Sequence, residues 1–144
     1  MKVAFIFLHP FSESLGSIVR VRELAISLRK FGVTSYILTP YENSHSIIEG
    51  VNVVSIGGEM QRLGLGSYLY KITKSAYYNR FFAYQFLVNR NLQAKLAARL
   101  AKAVVPVLEK LDIDLIQAEQ DVALPTALEV REKTNLPLLV DLHN

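Results

Sequence analysis

Two histidines and a glutamate carry the most versatile chemistry in this chain: His9, Glu119 and His143. Imidazole and carboxylate groups move protons near neutral pH, ligate metals, or hydrogen-bond a polar substrate. No His-x-x-x-His spacing supports a metal, so no metal ligand is assigned. A substrate-facing role is expected for at least one of the three. The remaining histidine, His45, lies in a polar stretch and reads most simply as solvated.

A second candidate is the run His9-Pro10-Phe11-Ser12-Glu13-Ser14-Leu15-Gly16-Ser17. It precedes a helical pattern, and backbone amides at a helix N-terminus, with the positive end of the dipole, suit a phosphate or carboxylate. Gly16 and Ser17 either make such a contact or simply form a turn and a helix cap. The run is not Gly-x-Gly-x-x-Gly and has no Gly-Lys-Ser/Thr. The later Leu38-Thr39-Pro40 lacks the acid that holds an NAD ribose, which argues against a dinucleotide oxidoreductase or a P-loop ATPase.

Residues 63–90 hold eight of the fourteen aromatics, including Tyr68, Tyr77, Tyr78 and Phe81, interleaved with Lys71, Lys74, Arg80 and Arg90. Tyrosine beside lysine suits a membrane interface, where the ring sits at headgroup depth and the ammonium meets anionic lipid. Single-stranded nucleic acid takes the same mixture by stacking and phosphate contact, but no nucleic-acid-binding motif accompanies it. A helical hairpin packed on a sheet, its lysines solvated, is the plainer alternative. Net charge is +3, yet Met60 to Lys110 carries nine Lys/Arg against Glu109 alone, a local +8 against −5 elsewhere. A molecule polarised in this way presents its basic face to something anionic.

These residues need a scaffold, and 144 residues at 51% hydrophobic and 20% charged supply one. A chain of this length makes one α/β domain, residues 1–144, burying about two-thirds of its unfolded surface. A disordered or collagen-like chain is excluded. The absence of cysteine excludes disulfides and thiol catalysis and fits a cytoplasmic setting, with a peripheral location on the inner face of the cell membrane if the basic segment binds lipid. The apolar run Val3 to Leu8 is too short for a signal peptide, and no stretch approaches the ~20 apolar residues that span a bilayer.

Val3–Leu8 reads as a parallel strand buried on both faces. Ser17 then precedes a helical stripe, Ile18, Val21, Leu24, Ala25 and Leu28, stopped by Gly32. Val33–Thr39 is a second strand and Val51–Ile56 a third. The eleven residues from Pro40 to Gly50 are too few for a crossover helix, so the third strand is expected at an edge. Leu92, Leu96, Leu100, Val104 and Leu108 mark a helix, kinked or broken near Pro106, within a basic, aromatic helical segment over residues 60–110. Ile113–Ala118 is a strand. Asp121 is expected to cap a helix with Pro125 in its first turn, closed by Asn135 and Pro137. Leu138–Leu142 is the last strand. The expected fold is α/β: a Rossmann-like, doubly wound, mostly parallel sheet of about five strands in a three-layer α/β/α arrangement. Ligands in such folds sit beyond the carboxyl ends of the strands, which is where His9–Ser17, Glu119 and His143 fall.

The order and spacing of three segments resemble a known family. They are Val21-Arg22-Glu23-Leu24-Ala25 running to Gly32-Val33 after a Gly-containing loop, Asp112-Ile113-Asp114-Leu115-Ile116-Gln117-Ala118-Glu119, and Leu136-Pro137-Leu138-Leu139-Val140-Asp141-Leu142-His143-Asn144. Together they resemble the N-terminal, acceptor-side domain of the GT-B glycosyltransferases, in the retaining group that includes glycogen- and mannosyltransferase-like enzymes. The resemblance implies transfer of a hexose from a nucleoside-diphosphate sugar, with no cofactor. Gly16 would approach the donor diphosphate, His143 the transferred sugar, and Glu119 the acceptor. The basic, aromatic segment would lie on the membrane that holds a lipid acceptor. The chain departs from the family in having Leu15-Gly16 where many members have Gly-Gly.

The second Rossmann-like domain, which in this family carries most nucleotide-sugar contacts, is not in this sequence. A chain ending as its last strand reaches the cleft is therefore expected to be catalytically silent alone, meeting nucleotide sugar and acceptor only with that partner domain. Two alternatives stay open: a stand-alone, non-catalytic α/β module docking on a membrane or partner protein, and a small enzyme using His9, Glu119 and His143 as its acid/base set. If the basic segment meets lipid, neutralising Lys71, Lys74 and Arg80 weakens binding to anionic vesicles, and so does added salt. Vesicle binding that ignores salt returns the segment to a packed hairpin.

Overall fold

A computed structural model describes residues 1–8, 16–40, 46–48, 50–65 and 90–141. The amino-terminal apolar run forms β1 (Lys2–Ile6), and every residue from Val3 to Leu8 is buried. Alternation along a strand sends successive side chains to opposite faces, so an unbroken apolar run demands a cover on both. Ala4, Ile6 and Leu8 enter one core and Val3, Phe5 and Phe7 the other.

The other elements in chain order are α1 (Gly16–Arg29), β2 (Thr34–Thr39), β3 (Ser46–Ile48), β4 (Val51–Ser55), α2 (Gly57–Arg62), α3 (Arg90–Leu111), β5 (Leu115–Glu119), α4 (Gln120–Thr134) and β6 (Leu138–Asp141). The strands form one sheet in the order β3-β4-β2-β1-β5-β6, parallel throughout except for β3. On one face Ile18, Val21 and Ala25 of α1 meet Phe5, Ile37 and Val53. On the other, Met60 of α2, Leu96, Leu100, Val104 and Leu108 of α3, and Ala123, Ala127 and Val130 of α4 meet Ala4, Ile6, Ile116 and Ala118. This is the expected Rossmann-like α/β fold, with helices on both sides of a mostly parallel sheet.

The described sheet has six strands rather than five. The third strand expected at an edge is β4, which lies inside the sheet, paired parallel to β2 and antiparallel to β3. The short β3 runs back towards the amino ends and turns tightly through Gly50, whose φ is +81°. A return strand thus replaces the crossover helix for which the chain had no room. The last strand, β6, takes the other edge, and its apolar run is only half covered: Leu139 is 52% exposed and Val140 43%. The expected break at Pro106 is absent, and α3 continues to Leu111. The carbonyl of Lys102, which proline leaves without its helical donor, belongs to an exposed residue that water can serve.

All four helices among the described residues end on a left-handed residue: Gly32, Gly64, Asp112 and Asn135. At the first, Gly32 N–H bonds the Arg29 carbonyl at 3.0 Å and Val33 N–H bonds that of Leu28 at 3.2 Å, while the Val33 side chain enters the core. This closes the orphan carbonyls of the last turn and fixes the exit into β2. Two glycines separate backbone strain from crowding, since a Cβ at Gly32 or at Gly58 meets nothing within 4 Å. Only Gly32 has a positive φ, at +74°. Gly32→Ala is therefore expected to lower stability by about 1–2 kcal/mol. Gly58→Ala, inside α2, should raise it by up to about 1 kcal/mol. Urea denaturation midpoints measure both, and equal shifts would contradict the backbone explanation.

Candidate functional site

From β1 the chain steps outward to β2 and then β4, and later returns to β5 on the other side of β1. The direction of travel reverses between β1 and β5. The carboxyl ends of these two strands therefore flank the crevice where doubly wound sheets take ligands. Ile6 pairs with Ala118, which places Glu119 at the end of β5 just where the chain leaves β1. On the far side Glu119 pairs with Asp141 at the end of β6. β1 and β6, which precede His9 and His143 in the chain, are the two neighbours of β5, whose last residue is Glu119. His9 and His143 lie outside the described residues, as do Tyr68, Lys71, Lys74, Tyr77, Tyr78, Arg80 and Phe81.

Ile116 and Ala118 face α3 and α4, while Leu115 packs on the α1 side, so Gln117 and Glu119 share the α1 face. Glu119 is 2% exposed and Gln117 7%. A carboxylate so far from water needs hydrogen bonds, and Gln117 Nε2 donates one to Glu119 Oε1 at 2.7 Å. Glu119 is also the N-cap residue of α4, with extended φ and ψ of −99° and 115° and no capping bond from its side chain. Asp121 was the residue expected to cap that helix. Because β5 runs into α4 without a loop, the helix starts earlier, putting Asp121 in its first turn and Pro125 in its second.

The first helix starts at Gly16, so Gly16 and Ser17 both lie within its first turn, and Ser17 does not precede the helix as its cap. No acidic residue occupies that turn, so the helix's own residues leave the positive end of its dipole uncompensated. The helix runs diagonally across the sheet. Near its start Arg20 Nη2 bonds both carboxylate oxygens of Asp141 at 2.9 Å, at the carboxyl end of β6. At its finish Arg29 Nη1 bonds the carbonyl of Gly50 at 3.3 Å, at the amino end of β4. The amino end of α1 thus lies on the side of β5 and β6, on the face that carries Glu119 and Asp141.

Reading along the chain singled out Gly16, Ser17 and Glu119 but missed Gln117, Arg20 and Asp141. Gln117 had a local signal, since two polar residues at a spacing of two in an apolar strand share one face. Arg20 and Asp141 had none, because 121 residues separate them. Among the described residues no group of three or more His, Cys, Asp or Glu could hold a metal ion, and no helix is long and apolar enough to cross a membrane.

The sheet order, the helices on both faces and the switch point beside β1 define a Rossmann-like, doubly wound α/β fold. Among solved structures the chain is similar to a sucrose-phosphate synthase from Thermosynechococcus elongatus, with a TM-score of 0.64 and 15% identity, over 100% of this chain and 33% of that one. The chain thus spans about a third of that synthase's length. No family model matches the chain, and no curated protein sequence does.

The Gln117–Glu119 bond makes a stability prediction that is independent of function. Glu119→Ala leaves a buried amide without its acceptor and is expected to cost about 1–3 kcal/mol. Glu119→Gln keeps an acceptor oxygen in place and should cost clearly less. Arg20→Ala, which breaks a pair whose arginine is half exposed, should cost under about 1 kcal/mol. Denaturant titration of the three variants checks this ranking.

Proposed function

We propose that this chain is the acceptor-side part of a GT-B glycosyltransferase that moves a hexose from a nucleoside-diphosphate sugar to an acceptor. One observation carries the proposal: the whole chain superposes on a third of an enzyme whose name states that it makes a sugar phosphate. In this reading the crevice at the carboxyl ends of β1 and β5 faces a second Rossmann-like domain that supplies most donor contacts. The amino end of α1, with Gly16 and Ser17 in its first turn and no acid there, faces the departing diphosphate. Amides and cations aimed at that growing charge lower the barrier most when they are fixed in place beforehand. Glu119 serves the acceptor side and His9 and His143 the sugars. Retention at the anomeric carbon, and an acceptor held at an anionic membrane by the basic, aromatic segment, are the finer parts of the proposal.

The test uses the polypeptide of the whole reading frame that contains this chain. It is incubated with uridine, guanosine and adenosine diphosphate sugars and a panel of free and lipid-linked acceptors, and nucleoside diphosphate release is followed. The expected result is acceptor-dependent release, with the product anomer read by NMR. Glu119→Gln should lower kcat/KM for the acceptor at least tenfold, with the circular dichroism spectrum unchanged. No release from any donor, together with no donor binding by calorimetry, would leave a non-catalytic binding module in its place.

A further inference from the structure

We infer that Gln117 is a positioning residue, which holds the buried Glu119 carboxylate ionised and in one orientation at the carboxyl end of β5 and acts on transfer only through it. The consequence for transfer rests on the glycosyltransferase proposal above, but the effect on Glu119 does not. Three observations on the same pair point this way. The two side chains lie two residues apart on one face of β5, so the amide is carried by the same rigid strand as the group it serves. Both are buried, at 7% and 2% exposure, so water does not compete for the bond. The Nε2 to Oε1 distance of 2.7 Å lies at the short end of the N–H···O range, where bonds to charged acceptors fall.

Chemistry sets the direction of the bond. An ionised carboxylate only accepts, and the Gln117 amide offers N–H donors. Burial alone disfavours the ionised form, whereas a donated hydrogen bond favours it. Among the described residues, the charged groups on the same face include Asp141, which pairs with Glu119 in register on β6, and Arg20 of α1, which Asp141 holds at 2.9 Å. Asp141 alone would disfavour a second negative charge, and Arg20 offsets it. Phe7, the residue that follows β1, enters the core on this face. Gln117 is thus a direct donor to the Glu119 side chain.

Two arms test the inference separately from the proposal it rests on. The first is independent of activity. In protein labelled with 13C at glutamate, the Glu119 carboxyl resonance, assigned by its loss in Glu119→Gln, is titrated in wild type, Gln117→Leu and Gln117→His. Loss of a donor to the charged form should raise the midpoint in Gln117→Leu by about one unit or more. Gln117→His, which keeps an N–H on a side chain of similar reach, should restore most of the shift and guards against a variant that fails to fold. An unchanged or lowered midpoint in Gln117→Leu overturns the inference, because a lowered one means that Glu119 was the donor.

The second arm reads transfer by the full polypeptide. Gln117→Leu should lower kcat/KM for the acceptor about tenfold, leave the donor KM unchanged, and cause no further loss in a Glu119→Gln background. Equal losses in both backgrounds mean that Gln117 does not act through Glu119 and overturn the inference. If Glu119→Gln itself has no effect on turnover, the acceptor-side role of Glu119 fails, and the carbon titration still decides whether Gln117 sets its charge.

Discussion

Burial of β1 on both faces is the constraint from which the rest of the architecture follows. Six consecutive residues, Val3 to Leu8, are withdrawn from water with alternate side chains in two separate cores. At about 1.5–3 kcal/mol for each large apolar side chain fully buried, this segment contributes strongly to holding both layers. A strand so placed needs a neighbour on each edge and helices on each face. The neighbours here are β2 and β5, both parallel. From β1 the path leaves in one direction, to β2 and β4, and later comes back on the other side, to β5 and β6. The switch point and its crevice are consequences of that central placement, present before any polar residue is considered.

The polar residues at the carboxyl ends work against this apolar background. Glu119 sits on a strand whose neighbours Ile116 and Ala118 are fully buried, and Gln117 reaches its carboxyl group with a hydrogen bond on the same face. One register position further out, Asp141 has water on part of its surface and takes Arg20 as its partner. The two carboxylates therefore contribute differently. The inner one is held by a short bond in a dry setting where each hydrogen bond weighs heavily. The outer one ties α1 to the sheet edge through a half-exposed pair that contributes little to stability.

A TM-score of 0.64 at 15% identity shows what kind of information the fold demands. The sheet requires apolar residues at given phases along each strand and a left-handed residue after each helix. It is largely indifferent to which apolar residue fills each place. Gly32, Gly64, Asp112 and Asn135 meet the same backbone need with three residue types. Shared shape thus speaks for the scaffold, while activity depends on the side chains placed at its crevice.

Local pattern was sufficient for β1, for the helix stopped at Gly32, for the long leucine-marked helix and for the α/β class, because burial on one or both faces writes itself into periods of two or 3.6 residues. It was also sufficient to select the strand ends, and with them Gly16, Ser17 and Glu119. It failed for β3, whose three residues are too few to show a period, and for the edge assignment of β4, which depends on a partner strand rather than on its own residues. The start of α4 was misplaced because a capping side chain at Asp121 is a local preference, whereas the direct run of β5 into helix is set by the sheet. Whether a carboxylate at a strand end is dry or wet, and whether Arg20 meets Asp141 across most of the chain, only the tertiary structure decided. Burial and long-range pairing are properties of the surroundings that folding assembles, and no single residue type encodes them.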